Sequence, residues 1–138
     1  MEDMILKVFT DGGAKGNPGP ASIGAIIVDS RGKEYFRLSK SIGVATNNFA
    51  EYQAIISALE WIKNNQNKLR EFEKIFFFLD SKLVVNQLNG VYKIKNFDLK
   101  NQAIKVKNLE KSIPFSVKYS HIPREENKIA DFLVNQSS

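Results

Sequence analysis

The segment Lys74-Ile75-Phe76-Phe77-Phe78-Leu79 narrows the possible folds more than any other stretch of the chain. It carries five consecutive apolar residues and ends on Asp80-Ser81. That run is far short of the roughly 20 residues a membrane-spanning helix needs. It also lacks the alternation of a half-exposed strand. A short run that is apolar throughout is what a strand buried on both faces requires. The rest of the chain must then supply neighbouring strands and the helices that cover them.

Before this segment the pattern is mostly of strands. Met4 to Thr10 alternates well enough for a strand ending at Asp11. Gly12-Gly13-Ala14-Lys15-Gly16-Asn17-Pro18-Gly19-Pro20 reads as a loop, because glycine and proline punctuate it throughout. Ser22 to Asp29 is small and β-branched, Ser30-Arg31-Gly32 is a turn, and Lys33 to Ile42 alternates again. These three strands predict an antiparallel meander. Phe49, Tyr52, Ile55, Ile56, Leu59 and Ile62 then recur at spacings of three and four, a helix from Asn48 that fades at Asn64-Asn65-Gln66-Asn67.

After it, Ser81 caps a short helix to Leu88 that Asn89-Gly90 stops. Asp98 to Lys111 is an amphipathic helix, Phe115 to Ser120 a strand, and Asn127 to Asn135 a last helix after the break at Ile122-Pro123-Arg124. The order is βββαβααβα. Strands alternating with helices in the second half predict parallel pairing, joined to the antiparallel hairpins. No repeat, low-complexity tract or linker divides the 138 residues, so one mixed α/β domain over 1–138 is expected.

Cysteine is absent, which excludes a disulfide scaffold, a cysteine nucleophile and thiolate metal sites. The start, Met1-Glu2-Asp3, does not read as a signal peptide, and no apolar run suits a membrane. The expectation is a cytoplasmic protein without a membrane partner. The formal charge of +5 favours a polyanionic partner, and it is uneven. Residues 91–111 hold six lysines against Asp98 and Glu110.

Asp11 and Asp80 each end a predicted strand, and ligand sites in α/β sheets form outside the carboxyl ends of strands. Two acids on parallel neighbours repel unless a cation compensates them. Hard oxygen ligands without cysteine or histidine suit Mg²⁺ or Mn²⁺. Glu51 and Asp131 are placed to close the ring. Each acid also has an ordinary explanation. Asn48-x-x-Glu51 resembles a capping box, Asp131 fits an exposed helix face, and Asp11 and Asp80 suit turn starts. His121, the only histidine, fits either a hydrogen-bonded strand end or acid/base work. The glycine-rich stretch lacks the G-K-[ST] ending of a nucleotide-binding loop. The lysines fit a solvated helix face as well as a phosphate grip.

Taken together the motifs are far more specific. Thr10-Asp11-Gly12-Gly13 with Gly16-Asn17-Pro18-Gly19-Pro20, then Thr46-Asn47-Asn48-Phe49-Ala50-Glu51, Leu79-Asp80-Ser81, and His121-Ile122-Pro123-Arg124-Glu125-Glu126-Asn127-Lys128-Ile129-Ala130-Asp131 occur in this order. The gaps between the acids are 40, 29 and 51 residues. In these runs the chain resembles type 1 ribonuclease H, in the short form of archaea and many bacteria that lacks the inserted basic helix.

The resemblance implies a ribonuclease H-like fold: a five-stranded mixed sheet, three antiparallel strands then two parallel, with helices on both faces. It implies an endonuclease that hydrolyses the RNA strand of RNA–DNA hybrids, leaving 5′-phosphate and 3′-hydroxyl ends. Asp11, Glu51, Asp80 and Asp131 would hold two Mg²⁺ ions, with Mn²⁺ as the substitute. Such a pair activates the water and stabilises the leaving oxygen. Asp11 would bridge the ions. Glu51 would also meet the 2′-hydroxyl that distinguishes RNA from DNA. His121 would assist, by positioning the water or protonating the leaving group.

Main-chain atoms of Gly12 and Gly13 would meet the RNA minor groove, and Asn17 and Thr46 a DNA-strand phosphate. Asn47 and Asn48 would reach into the minor groove. Ser81 and Asn127 complete the substrate-contacting set, with Lys93 and Lys95 as a reduced substitute for the missing basic helix. Lys82 departs from the family, standing where many members have a polar contact residue. Double-stranded RNA is a further substrate seen in short members, and no obligate protein partner is implied. Two other classes share such a fold. A binding module without catalysis would lack one of the acids, and the set here is complete. A transposase or resolvase lacks the Thr46-Asn47-Asn48-x-x-Glu51 context and the His121 to Asp131 spacing.

Overall fold

A computed structural model describes residues 4–138; the Met1-Glu2-Asp3 start lies outside the described residues. Three strands come first: β1 (Ile5–Ala14), β2 (Gly19–Asp29) and β3 (Glu34–Ala45). They are followed by α1 (Asn47–Asn64), β4 (Lys74–Leu79), α2 (Lys82–Leu88), α3 (Phe97–Lys111), β5 (Ser116–His121) and α4 (Lys128–Gln136). The sheet order is β3-β2-β1-β4-β5. β1, β2 and β3 pair antiparallel, whereas β4 is parallel to both β1 and β5. This is the expected five-stranded mixed sheet. Among the described residues no helix is long and apolar enough to cross a membrane.

The helices cover opposite faces. α1 lies on β1 and β2, with α3 packed on its outer side, and α4 lies across β1, β2 and β3. Leu6, Val8, Ile75, Phe77 and Leu79 form the strand side of the main core, and Tyr52, Ile55, Leu59 and Ile62 the helix side. Each such side chain stabilises the fold by roughly 1.5–3 kcal/mol through burial. Tyr119 of β5 closes the core near α3, its hydroxyl donating to Glu110 Oε2 at 2.6 Å.

Two expectations need correction. Residues 12–20 are not all loop. Gly12, Gly13 and Ala14 continue β1, opposite Ile23, Ser22 and Ala21 of β2. Only residues 15–18 turn, closed by Lys15 N donating to Pro20 O at 2.9 Å. Gly12 is there for close approach rather than for flexibility. A Cβ on Gly12 would fall 2.3 Å from the carbonyl carbon of Ala50 in α1. β4 is also less symmetric than predicted. Ile75, Phe77 and Leu79 are fully buried, but Phe76 and Phe78 are half-buried. α4 packs on the first three strands and leaves β4 to neighbouring side chains. Phe78 stacks on Phe9 at 5.1 Å, and Lys118 lies over Phe76.

Candidate active site

The parallel register sets the first two acids side by side. The last β1–β4 pair is Phe9 with Phe78, and Asp11 and Asp80 each stand two residues further on. The stacked Phe9–Phe78 pair therefore marks the sheet face on which both acids follow.

Two glycines bring the helical acids in. Gly12 faces α1, where a Cβ would also lie 2.6 Å from Glu51 N. Its absence lets the α1 backbone touch β1, and Gly12 N donates to Glu51 Oε1. Gly24, opposite Asp11 in β2, faces α4. A Cβ there would lie 2.4 Å from Ala130 O and 2.8 Å from Leu133 Cβ. Asp131 sits in the first turn of the helix that this contact admits.

Oxygens of Asp11, Glu51 and Asp80 all lie within 4.8 Å of one another. Asp11 is 4% exposed and Glu51 5%; Asp80 is half-buried. Burial pushes the Asp11 carboxyl up to about 6; the charges of Asp80 and Asp131 add to this, and the backbone N–H of Gly12 opposes it. Burial also holds Glu51 well above the usual carboxylate range, reinforced by the charge of Asp11. Glu51 Oε2 is buried without a hydrogen-bond partner. A buried carboxylate oxygen left unpaired among other acids is unfavourable alone and well matched to a divalent cation. The cluster can hold a metal ion. Asp131 stands outside the tight trio but lines the same open cleft, of about 360 Å³.

The capping-box alternative for Glu51 does not hold. α1 is capped by Thr46, whose Oγ1 accepts from Phe49 N at 3.2 Å, which leaves the Glu51 carboxylate free to turn toward β1.

The other candidates divide by location. Gly13, Asn47, Asn48 and Ser81 line the carboxylate cleft. Asn47 Oδ1 accepts from Ala14 N at 2.8 Å and its own N donates to Asn17 Oδ1 at 3.0 Å, tying the hairpin tip to α1. Ser81 Oγ accepts from Val84 N at 3.3 Å as the cap of α2. Asn17, Thr46 and Asn48 line an adjoining cleft with Asn96 and Asp98. His121 is exposed at the end of β5, opposite Leu79, and is not among the residues lining the carboxylate cleft. Lys93 and Lys95 line a separate groove beside α3.

Asn127 is 1% exposed, so its amide is turned inward. Its Nδ2 donates to Thr10 O at 2.9 Å and to Asp80 Oδ2 at 3.2 Å, clamping the strand that carries Asp11 to the Asp80 carboxylate. Sequence reasoning had no signal for that role, because an asparagine before a helix reads as a cap. It also passed over Arg124 and Lys15, which line the carboxylate cleft.

The family described as reverse transcriptase-like matches residues 9–137. An RNase H1 isolated from compost is 42% identical, with a TM-score of 0.90, covering 97% of this chain and 95% of that one. A second structure of that enzyme, with a TM-score of 0.89, is of its complex with an RNA/DNA hybrid. Ribonuclease HI of Halobacterium salinarum is 35% identical over 96% of this chain and 63% of its own length. A bifunctional protein of Mycobacterium tuberculosis is 36% identical over 97% of this chain, which spans only 35% of that relative. With the sheet order, the carboxylate cluster and these likenesses agreeing across most of its length, the chain belongs to the reverse transcriptase-like family and stands among its type 1 ribonucleases H.

Proposed function

We propose that this chain is an endonuclease that hydrolyses the RNA strand of RNA–DNA hybrids. The observation that carries the reading is the trio Asp11, Glu51 and Asp80, with an unpartnered Glu51 oxygen, at the base of a cleft that Asp131 also lines. The hybrid complex of the compost enzyme supports the substrate class. In this reading residues 1–138 form one catalytic domain of a cytoplasmic enzyme.

Asp11, Glu51, Asp80 and Asp131 would hold two Mg²⁺ ions, with Mn²⁺ as the substitute. When bound, such ions supply an activated water and stabilise the leaving 3′-oxygen. The chain's own groups do the positioning. Gly12 N–H fixes the Glu51 carboxylate, and Asn127 fixes that of Asp80. Arg124 and Lys15 give the cleft a cationic edge for a phosphate. Glu51 is also the group assigned to the 2′-hydroxyl, which restricts cutting to RNA. His121, exposed at the end of β5, is assigned the assisting role.

On the hybrid, Gly12, Gly13, Asn47, Asn48 and Ser81 are assigned to the RNA side of the cleft; Asn127, buried with its amide on Thr10 O and Asp80 Oδ2, acts behind Asp80 rather than on the substrate. Asn17 and Thr46 are assigned a DNA-strand phosphate, and Lys93 and Lys95 the outer grip. Purified protein should cut a hybrid in Mg²⁺ to 5′-phosphate and 3′-hydroxyl ends while leaving single-stranded RNA and duplex DNA whole. Metal binding is read separately, as a rise in melting temperature on adding Mg²⁺. A folded protein that leaves the hybrid intact in both Mg²⁺ and Mn²⁺ overturns the proposal.

A further inference from the structure

The largest lysine cluster in the fold has no part in the carboxylate cleft. A groove of about 810 Å³ runs between the segment after α2 and the outer side of α3. Lys93, Lys95, Lys100, Lys107 and Lys111 line it, and no carboxylate does. Lys107 is engaged by Glu110 at 3.3 Å, and Lys93 and Lys95 are assigned the outer grip on the hybrid, so the argument rests on Lys100 and Lys111. Between the lysines the lining is mostly apolar: Leu88, Ile94, Ala103 and Ile104, the last 50% exposed, with Gln87 and Asn108 as its polar members.

A cationic edge alone would suit any polyanion, but the apolar lining is more selective. A duplex turns its phosphates outward and keeps its base faces stacked inside, so it would leave that lining against water. An unpaired strand offers both phosphates for the lysines and base faces for the apolar side chains.

The neighbouring cleft identifies the strand. Asn17 and Thr46 form one wall of it, and Asn96, Asp98 and Leu99 the other. Asn96 follows Lys95 in the chain, and Leu99 precedes Lys100, so this cleft and the lysine groove share the start of α3. Phe97, between them in sequence, is 74% exposed and free to stack on a base. A strand whose phosphate sits at Asn17 and Thr46 continues toward the groove.

We propose that the groove holds unpaired DNA continuing the DNA strand beyond the end of an RNA–DNA hybrid. This rests on the proposed hybrid-cutting site, in which Asn17 and Thr46 hold the DNA strand. The enzyme would then favour hybrids flanked by single-stranded DNA over blunt ones.

Fluorescence anisotropy of the full chain in EDTA tests this without cleavage. The probes are a blunt hybrid and the same hybrid with a DNA tail of about ten nucleotides at either end of the DNA strand, a length one such groove can cover. Two controls have the tail paired into duplex or replaced by RNA. A DNA tail at one end should tighten binding by about 10-fold, the gain expected from one or two stacked bases. It should steepen the log–log salt dependence by about 0.7 per added phosphate contact. The double variant Lys100→Glu/Lys111→Glu, and separately Ile104→Ser, should lose the gain while cutting blunt hybrid at the wild-type rate in Mg²⁺. Equal binding of tailed and blunt hybrids overturns the inference. So does an equal gain from a paired or an RNA tail, or a gain that survives both variants. A folded protein that leaves blunt hybrid uncut removes the reading beneath it as well. Cutting without a tail effect removes this inference alone.

Discussion

A carboxylate buried among carboxylates works against the fold that holds it. The Asp11 carboxyl is raised from 3.8 to about 6, chiefly by burial. In the metal-free protein the unfolded chain therefore releases this proton near pH 4, while the folded chain keeps it until near pH 6. Stability is fully present below the lower value and is lost as pH rises through the upper one. At pH 7 the loss is about 3 kcal/mol. Asp11→Asn removes the charge in place. It should raise the melting temperature in EDTA by several degrees at pH 7 and leave it unchanged at pH 4, while hybrid cleavage falls by orders of magnitude. Thermal melts at the two pH values check the first half and a cleavage assay the second. An equal shift at both pH values would show that packing, not charge, sets the difference.

The Asn127 amide makes a different contribution at the same scale. Its two donated bonds join Thr10 O to Asp80 Oδ2. Asn127→Ala leaves a buried carbonyl unpaired and Asp80 unclamped. Unfolding free energy should fall by about 1–3 kcal/mol. The Mg²⁺ concentration for half-maximal cleavage should rise by about 10–100-fold, the usual effect of losing a group that orients a metal ligand. Unchanged metal dependence in a destabilised variant would make Asn127 a structural residue only.

At the scale of elements, the site is assembled by two helix–strand contacts. Gly12 admits α1 with Glu51, and Gly24 admits α4 with Asp131. Gly12→Ala and Gly24→Ala drive a methyl into backbone at 2.3 and 2.4 Å, so each should cost about 1–3 kcal/mol or more by overpacking. Each should also lower cleavage, because the helix moves with its acid. Gly13→Ala is the control: its nearest neighbours, Asn47 Oδ1 and Val134 Cγ1, lie at 3.9 Å, and stability should stay within about 0.5 kcal/mol. Denaturant titration ranks the three, and a Gly13 variant as unstable as the other two would refute the close-approach account.

The same elements explain what the sequence made legible. Apolar spacing with cap and stop residues located the five strands and four α-helices, though not the short 3-10 turns at Gln66–Leu69 and Arg124–Glu126, and the motif order brought four distant acids together. Composition misled at residues 12–14, where two glycines that continue β1, the first of them admitting a helix, looked like a loop. Local pattern misled at Asn48, because Thr46 makes the cap and Glu51 answers to β1 instead. Phe76 and Phe78 looked as buried as Phe77, because the length of α4 is not written in β4. Asn127 acts through contacts, and Arg124 stands at a cleft, that exist only in the folded chain.

For the whole molecule the decisive quantity is where charge stands rather than its sum. The chain carries 20 basic and 15 acidic side chains. Four of those acids meet at one cleft, so the rest of the molecule carries a formal +9. Without a cation the site should therefore repel the phosphates that the remaining surface attracts. Amide substitution at all four positions removes the repulsion and the metal site together. In EDTA at low salt that variant should bind a hybrid about 10-fold more tightly than the wild type, because a few unscreened like charges near a phosphate cost on the order of 1 kcal/mol in all. The gap should narrow as salt shortens the screening length to a few ångströms. Anisotropy titrations across a salt series measure it. If the two proteins bind alike at low salt, the acids are too well protonated or too deep to act on the substrate, and cation binding serves the chemical step alone. If the variant binds more tightly, a divalent ion does two things in this cleft: it equips the site for hydrolysis and lets the strand approach.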